Sequence, residues 1–266
     1  MQTGTMKRYS ILHPLFMSFF SKSLYRDVAS NWRGLCLTYL LIVLTLNLIP
    51  DMVRLHERVD AFVADEVPKV VNQVPTITIS EGAASVKVPV PYVIHAPWSK
   101  LPFAVIDTSD GAVAPEDMKA TVMVTRTKLT VKGDTSEIHA FDFSRIHHAV
   151  IDRDEIYRWL DAFKRYFIFA VYPFALFFAF LFYFVQVLLC ASLGMFFAKM
   201  FSLDLKARAL IRLSAVAFTP PIVLQTVHSL LGIEFPYSSV ISFLLATGYL
   251  YFAVSSCSGK TVSKIV

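Results

Sequence analysis

The sequence predicts an α-helical integral membrane protein with four transmembrane helices and a small extracytoplasmic α/β domain inserted between the first two. Three observations predict this class. The 266 residues are 55% hydrophobic and only 17% charged, whereas soluble domains are about 25% charged. The apolar residues are concentrated in segments long enough to cross a bilayer, which takes about 20 helical residues. Residues 51–165, between two of these segments, have the polarity and short alternating runs of a folded domain.

Four uncharged or nearly uncharged segments are the predicted spans, at 34–50, 166–198, 209–232 and 236–254. The first is short and has no small-residue cleavage site after it, so it is predicted to be an uncleaved signal anchor. The second would measure about 50 Å as one helix. A single tilted helix that continues from residues 152–165 is favoured over a hairpin of two spans.

The distribution of charge predicts the orientation. Residues 1–33, the segment 199–212 and the tail 255–266 together carry eleven basic and two acidic side chains, whereas 51–165 is slightly acidic. Basic residues stay on the cytoplasmic side. We therefore expect both termini and the loop 199–208 in the cytoplasm, and 51–165 and the loop 233–235 outside it.

An amphipathic segment precedes the first span. Phe16, Phe19, Phe20 and Leu24 are spaced to lie on one face of a helix, with basic residues mostly on the other face. This pattern predicts an interfacial helix within residues 1–33, or else a helix packed on the protein's own spans. The full set of predicted membrane-interface residues is Phe16, Phe19, Phe20, Leu24, Lys22, Arg26, Trp32 and Arg33.

The stretch FAVIDTSDG (103–111) resembles the loop in which aspartic proteases hold a catalytic carboxylate. Such proteases need two of these loops, and this chain has one, so only a homodimer would complete the site. Asp110 also places Gly111 one position later than the glycine of the protease loop. We instead expect Asp107, Thr108 and Gly111 to mark the end of a central strand, where Asp107 caps backbone N–H groups in a turn.

Other chemistry is sparse in the sequence. His147 and His148 lie near several aspartates, but their spacing matches no metal-ligand motif, and a solvated loop is the favoured interpretation. The chain contains no Gly-rich phosphate loop and no basic patch interleaved with aromatics. We therefore predict no cofactor, no metal, no nucleic-acid partner and no enzymatic activity.

Four stretches resemble the bacterial domain-of-unknown-function family 1189. They are FFSKSLYRDVASNWRGLCLTYLLIVL, ITISEGAASVKVPVPYVI, PFAVIDTSDG and LIRLSAVAFTPPIVL. The resemblance covers nearly the whole chain and implies a bacterial cytoplasmic-membrane protein with one span, an extracytoplasmic domain and three further spans. It implies no established activity.

The third span contains the sharpest feature of the membrane part, the stretch TPP at 219–221. Two adjacent prolines leave two carbonyls without their helical partners, so the helix must kink or break there. The polar residues at this place either satisfy the broken backbone or form a pocket, and a structural kink is favoured. The candidate residues are Thr219, Pro220, Pro221, Gln225, His228 and Gln186.

If Arg212 is assigned to the basic segment 199–212, the predicted spans carry no charged side chain. Ion-coupled transporters usually hold such a residue within a span, so its absence argues against ion-coupled transport. The leading hypothesis is a non-enzymatic scaffold or accessory subunit in envelope or membrane-complex assembly. Its partners would be membrane lipids and either another membrane protein or further copies of the chain. The alternatives are handling or transport of a lipid or amphiphile along the proline-broken helix and, more remotely, a dimeric aspartic protease.

Overall fold

The structure is a computed structural model that describes residues 8–109, 120–133, 138–232 and 236–258. The chain forms two compact units. Residues 1–54 and 169–266 form the helical unit, and residues 55–168 form the sheet unit. The helices are α1 (Pro14–Met17), α2 (Lys22–Asn31), α3 (Leu37–Asp65), α4 (Val67–Val71), α5 (Arg153–Met200), α6 (Ala207–Ala217), α7 (Thr219–Leu231) and α8 (Ser238–Ser258).

Four helical segments are long and apolar enough to cross a membrane, as the sequence predicts. They are Leu37–Val71, Arg153–Met200, Ala207–Leu231 and Ser238–Ser258. The prediction of one long second span is confirmed, because α5 is continuous over 48 residues. The predicted first span, 34–50, falls mostly in α3, which starts at Leu37 and continues past Pro50 to Asp65. A proline removes one hydrogen bond and bends a helix, but helix-forming residues on both sides can continue it.

The third span is interrupted where the two prolines predict it. Phe218 separates α6 from α7, and Pro220 and Pro221 occupy the first turn of α7, where a missing N–H costs least. Arg212 lies within α6, so the expectation of spans without charged residues is wrong for this helix. The guanidinium donates hydrogen bonds to the carbonyls of Val28, Ala29 and Gly34, and so caps the C-terminal end of α2.

The prediction of one continuous amphipathic helix across Phe16 to Leu24 is wrong. α1 ends at Met17, and α2 starts only after Ser21, whose side chain accepts a hydrogen bond from the backbone N–H of Leu24. A serine in this position is a strong N-cap and starts a new helix. α2 packs on α6 and α8, so the alternative of packing on the protein's own helices holds for this segment.

The core of the helical unit lies where α2, α3, α5, α6 and α8 meet. Fully buried side chains include Leu24, Tyr39, Leu213 and Leu250. At Gly194 of α5, an added Cβ would lie 3.2 Å from Leu250 and 3.3 Å from Leu210. The missing side chain therefore permits the close approach of these helices.

The sheet unit contains two sheets. The strands are β1 (Ile77–Ser80), β2 (Ala83–Val86), β3 (Tyr92–His95), β4 (Pro102–Asp107), β5 (Val122–Thr125), β6 (Lys128–Lys132), β7 (Ile138–Asp142) and β8 (His148–Ile151). One sheet has the order β2-β1-β8 and the other the order β3-β4-β5-β6-β7. All pairs are antiparallel except β4 with β5. The mixed α/β content matches the prediction.

Two strand predictions differ from the structure. Residues 120–131, ATVMVTRTKLTV, are predicted as a single strand by their sequence pattern, but they contain the hairpin of β5 and β6, which turns at residues 126–127. The segment around His147 and His148, expected as a loop, leads into β8 and pairs with β1. Backbone pairing with a distant strand decides such short elements, and a local pattern does not reveal that partner.

Candidate functional site

A partly polar cavity of the helical unit lies where the middle of α3 meets α7 and the first half of α8. Its volume is about 520 Å³, within the range of small-molecule sites. We call it the α7–α8 cavity. The lining residues are Asp51, Arg54, Pro221, Leu224, Gln225, His228, Ser229, Ser238, Ile241, Ser242 and Leu245.

The start of α7 forms one wall of this cavity. Pro220 and Pro221 are both buried, and Pro221 lines the cavity. Thr219 is also buried, but its hydroxyl lies 2.6 Å from the Tyr39 hydroxyl and is not among the lining atoms. The prolines therefore shape the wall of the cavity, and Thr219 fastens α7 to α3.

Further along α7, polar side chains face both neighbouring helices. Gln225 lines the cavity, and its Oε1 accepts a hydrogen bond of 2.8 Å from the Tyr183 hydroxyl of α5. Thr226 donates to Asn47 Oδ1 at 2.6 Å, which ties α7 to α3. These bonds satisfy polar groups inside an apolar bundle, where an unpaired group costs several kcal/mol.

The last turn of α7 brings His228 and Ser229 to the cavity. Gly232 ends the helix with φ of 72°, and its N–H turns back to the carbonyls of His228 and Ser229. Glycine adopts this left-handed conformation without steric cost, so it is a common helix terminator. The polar pair is thereby held at the end of α7.

Three side chains form a hydrogen-bonded chain at the polar end of the cavity. The Ser229 hydroxyl donates to Asp51 Oδ1 at 2.5 Å and accepts from an Arg54 Nη1 donor at 3.2 Å. Asp51 and Arg54 are three residues apart on α3 and so share one face of it. The serine bridges the two opposite charges.

An apolar groove continues from the cavity along α8. It has a volume of about 540 Å³ and shares Ile241 and Leu245 with the cavity. We call it the α8 groove. Its other lining residues are Phe19, Leu244, Gly248, Tyr249 and Phe252. A Cβ added at Gly248 would meet nothing within 4 Å, so this glycine leaves the groove open.

Gln186, the remaining predicted pocket residue, lies on α5 in a separate groove of about 710 Å³. This α5–α8 groove is almost wholly apolar and is lined by residues such as Phe178, Phe182 and Val240. Within the described part of the chain, the buried Gln186 Oε1 has no hydrogen-bond partner. The structure therefore separates Gln186 from Gln225 and His228, with which the sequence grouped it.

The predicted membrane-interface residues fall into two groups. Phe16 and Phe20 are 77% and 70% exposed, and Lys22 and Arg33 are exposed as well. Leu24 and Trp32 are buried, and Phe19 is half-buried with its ring against Tyr249.

Arg26 does not point to a surface either. Its Nε donates to the Ser256 carbonyl at 2.6 Å, so it joins α2 to the end of α8.

Asp107 lies at the end of β4 and is buried. Its Oδ1 accepts from the backbone N–H of Ser109 at 3.1 Å and from the Ser109 hydroxyl at 2.6 Å. This is an Asx turn, in which a carboxylate closes a loop. Thr108 is half-buried beside it, and Gly111 lies outside the described residues. No cluster of three metal-ligating residues occurs within the described ranges.

Sequence reasoning missed Asp51, Arg54 and Ser229. It assigned the first two to the beginning of the polar domain because they follow Pro50, and it gave Ser229 no role. The available indication for Asp51 and Arg54 was their position directly after the apolar segment 34–50, whereas no local pattern pointed to Ser229, which lies inside the predicted span 209–232.

A family model described as "Protein of unknown function (DUF1189)" matches residues 12–254. The match covers nearly the whole chain and includes every residue of the cavity. No curated protein and no solved structure is significantly similar to the chain.

Proposed function

Because this chain belongs to the DUF1189 family of proteins of unknown function, which brings no activity with it, we propose a function from the cavity: the protein binds a lipid-like amphiphile between α3, α7 and α8. The observation that carries the proposal is the continuity of the polar α7–α8 cavity with the apolar α8 groove. An amphiphile needs both environments side by side.

The polar end suits a headgroup. Charged side chains at the end of an apolar helix are costly in a bilayer unless they meet water, each other or a polar ligand. Asp51, Arg54 and Ser229 provide donors and acceptors there. The apolar end suits a chain, because Leu245, Leu244 and Phe252 present only hydrocarbon and aromatic surface.

The charge distribution extends the proposal to location. With both termini in the cytoplasm and 51–165 outside it, the cavity lies at the outer face of a bacterial inner membrane. The protein would then present or move an amphiphile of the outer leaflet without chemical change, and it needs no cofactor.

Photolabelling tests the proposal. The protein is placed in nanodiscs that contain a phospholipid with a diazirine on its acyl chain, and labelled peptides are mapped by mass spectrometry. We expect stronger labelling at Leu224 and Ile241 than at Phe177, which is exposed on α5. Bulk lipid reaches Phe177, so this residue is the internal reference.

Leu245→Trp is the matching variant, since it fills the junction of cavity and groove. We expect labelling of Ile241 to fall while labelling of Phe177 stays constant. Labelling of Ile241 no higher than that of Phe177, and unaffected by Leu245→Trp, would show that the cavity holds no amphiphile.

We propose a second candidate, a subunit that assembles with further copies of the chain, on the basis of Gln186. A buried amide oxygen that accepts no hydrogen bond, such as Gln186 Oε1 beside the α5–α8 groove, is unfavourable in hydrocarbon. Polar residues of this type drive the association of membrane helices. A second copy would supply the matching amide, because one glutamine both donates and accepts.

A further inference from the structure

The α7–α8 cavity carries both signs of charge at its polar end. Asp51 contributes a carboxylate and Arg54 a guanidinium, and the Ser229 hydroxyl links them. The two charged groups form no direct ion pair with one another in the described structure; the serine oxygen stands between them. Each therefore keeps hydrogen-bonding capacity, namely the second carboxylate oxygen and the remaining guanidinium N–H groups.

A headgroup with one charge would satisfy only one of these groups. An anionic headgroup would pair with Arg54 but would be repelled by Asp51. A cationic headgroup would pair with Asp51 but would be repelled by Arg54. Like charges at such short range cost free energy. A headgroup with a phosphate and an ammonium within a few bonds matches both.

The two halves have distinct chemical preferences. A guanidinium binds phosphate through paired N–H donors, which makes Arg54 the phosphate contact. A carboxylate binds an ammonium through N–H donors, so Asp51 is the contact for the ammonium. His228 and Ser238 also line the cavity.

The lining also discriminates between kinds of ammonium. A quaternary ammonium has no N–H to donate and is recognised by the faces of Trp, Tyr or Phe rings. Among the described residues, the cavity lining contains none of these three residue types. A primary ammonium suits the site better.

We propose that the α7–α8 cavity binds a zwitterionic phospholipid with a primary ammonium headgroup, its phosphate on Arg54 and its ammonium on Asp51. An acyl chain extends along the α8 groove past Leu245 and Gly248. The inference rests on the proposed amphiphile function and specifies its ligand class.

The test measures lipid binding to the full-length protein by native mass spectrometry. The probes are dioleoyl phosphatidylethanolamine, phosphatidylcholine and phosphatidylglycerol, which share acyl chains and differ in headgroup. We expect phosphatidylethanolamine to bind most tightly. Loss of one charged hydrogen-bonded contact corresponds to roughly a ten- to hundred-fold weaker affinity.

Two variants separate the contacts. Asp51→Asn should bring phosphatidylethanolamine binding down to the level of phosphatidylcholine binding and leave the latter nearly unchanged. Arg54→Gln should weaken both lipids and keep phosphatidylethanolamine ahead. Glu155→Gln and Arg158→Gln are the matched controls, because they remove a carboxylate and a guanidinium that also lie three residues apart, on α5. They should change no lipid affinity.

Several results would overturn the inference. Equal binding of the three lipids, tighter binding of phosphatidylglycerol, or an unchanged lipid preference in Asp51→Asn each contradicts it. If photolabelling still marks Ile241 in that case, the amphiphile function stands and only the headgroup assignment fails. Binding of soluble phosphoethanolamine as tightly as the whole lipid would show that the acyl chain adds nothing, which contradicts both proposals.

Discussion

Asp27 shows how a single buried carboxylate organises the N-terminal segment. It accepts hydrogen bonds from the backbone N–H groups of Arg8 and Tyr9, from Asn31 Nδ2 at 2.7 Å and from Trp32 Nε1 at 2.9 Å. Burial raises the pKa of the Asp27 carboxyl, but these hydrogen bonds outweigh burial, and the pKa is lowered below its usual value.

A lowered pKa makes stability depend on pH in a defined direction. The pKa of an aspartate in the unfolded chain is about 3.9, and the pKa of Asp27 in the folded protein is lower. The contribution of Asp27 is therefore fully present above the unfolded pKa and is lost as the pH falls through the folded pKa. We expect Asp27→Asn to cost about 1.5–3 kcal/mol at neutral pH and to lose less stability than the parent protein between pH 5 and pH 3.

Thermal unfolding in detergent across this pH range measures the effect. The control is Asp161→Asn, which removes a carboxylate that is 71% exposed and should change stability little. Parallel curves for the parent protein and Asp27→Asn would contradict the role assigned to Asp27.

Helix α5 presents a large exposed apolar surface. Of the most apolar 18-residue stretch of α5, 22% is buried within the chain, whereas 61% of the corresponding stretch of α6 and α7 is buried. Lipid or another protein must cover the remainder in a membrane. Gln186 is the position on α5 where lipid chains would be the poorest cover, because they offer no hydrogen bond.

We expect Gln186→Leu to weaken self-association in the bilayer by about tenfold. This corresponds to an interhelical hydrogen bond of about 1–2 kcal/mol. Energy transfer between labelled copies in liposomes, measured over a range of protein densities, reports the association. Ser192→Ala is the matched control, because the Ser192 hydroxyl is already bonded to the Leu188 carbonyl of its own helix.

A monomeric parent protein at all densities would contradict the assembly proposal. So would a Gln186→Leu variant that associates as strongly as the parent. Either outcome leaves lipid contact as the role of the exposed α5 face.

The order of the spans and the charge asymmetry predict an orientation for the whole molecule. Eleven of the 25 basic side chains lie in the segments predicted to be cytoplasmic, where only two acidic side chains occur. The cytoplasmic leaflet attracts such segments electrostatically.

Cysteine labelling on intact cells tests this topology. In a Cys257→Ser background, Ser85→Cys on β2 should react with a membrane-impermeant maleimide, since Ser85 is exposed in the sheet unit. Asp204→Cys, between α5 and α6, should react only after lysis. The reverse pattern would invert the orientation and move the α7–α8 cavity to the inner leaflet.

Much of the architecture was predictable because it depends on local properties of the chain. A run of about 20 apolar residues favours a membrane-spanning helix wherever it occurs, and two adjacent prolines interrupt a helix whatever surrounds them. The four apolar helices, the continuity of α5 and the interruption before Thr219 follow from such runs. The alternation in residues 76–80 and the continuous apolar run at 101–107 likewise predicted β1 and β4.

What only the tertiary structure decided is which distant residues meet. Ser229 lies 178 residues from Asp51 in the chain, and no local pattern relates them; the packing of α7 beside α3 brings them together. The amphipathic N-terminal segment had an apolar face by its sequence alone. The fold decided that α6 and α8 cover the part of this face that lies in α2 and that Phe16 and Phe20 stay exposed. The sequence by itself determined the helices, because hydrophobic periodicity is local. The cavity depended on the tertiary structure, because it exists only between elements.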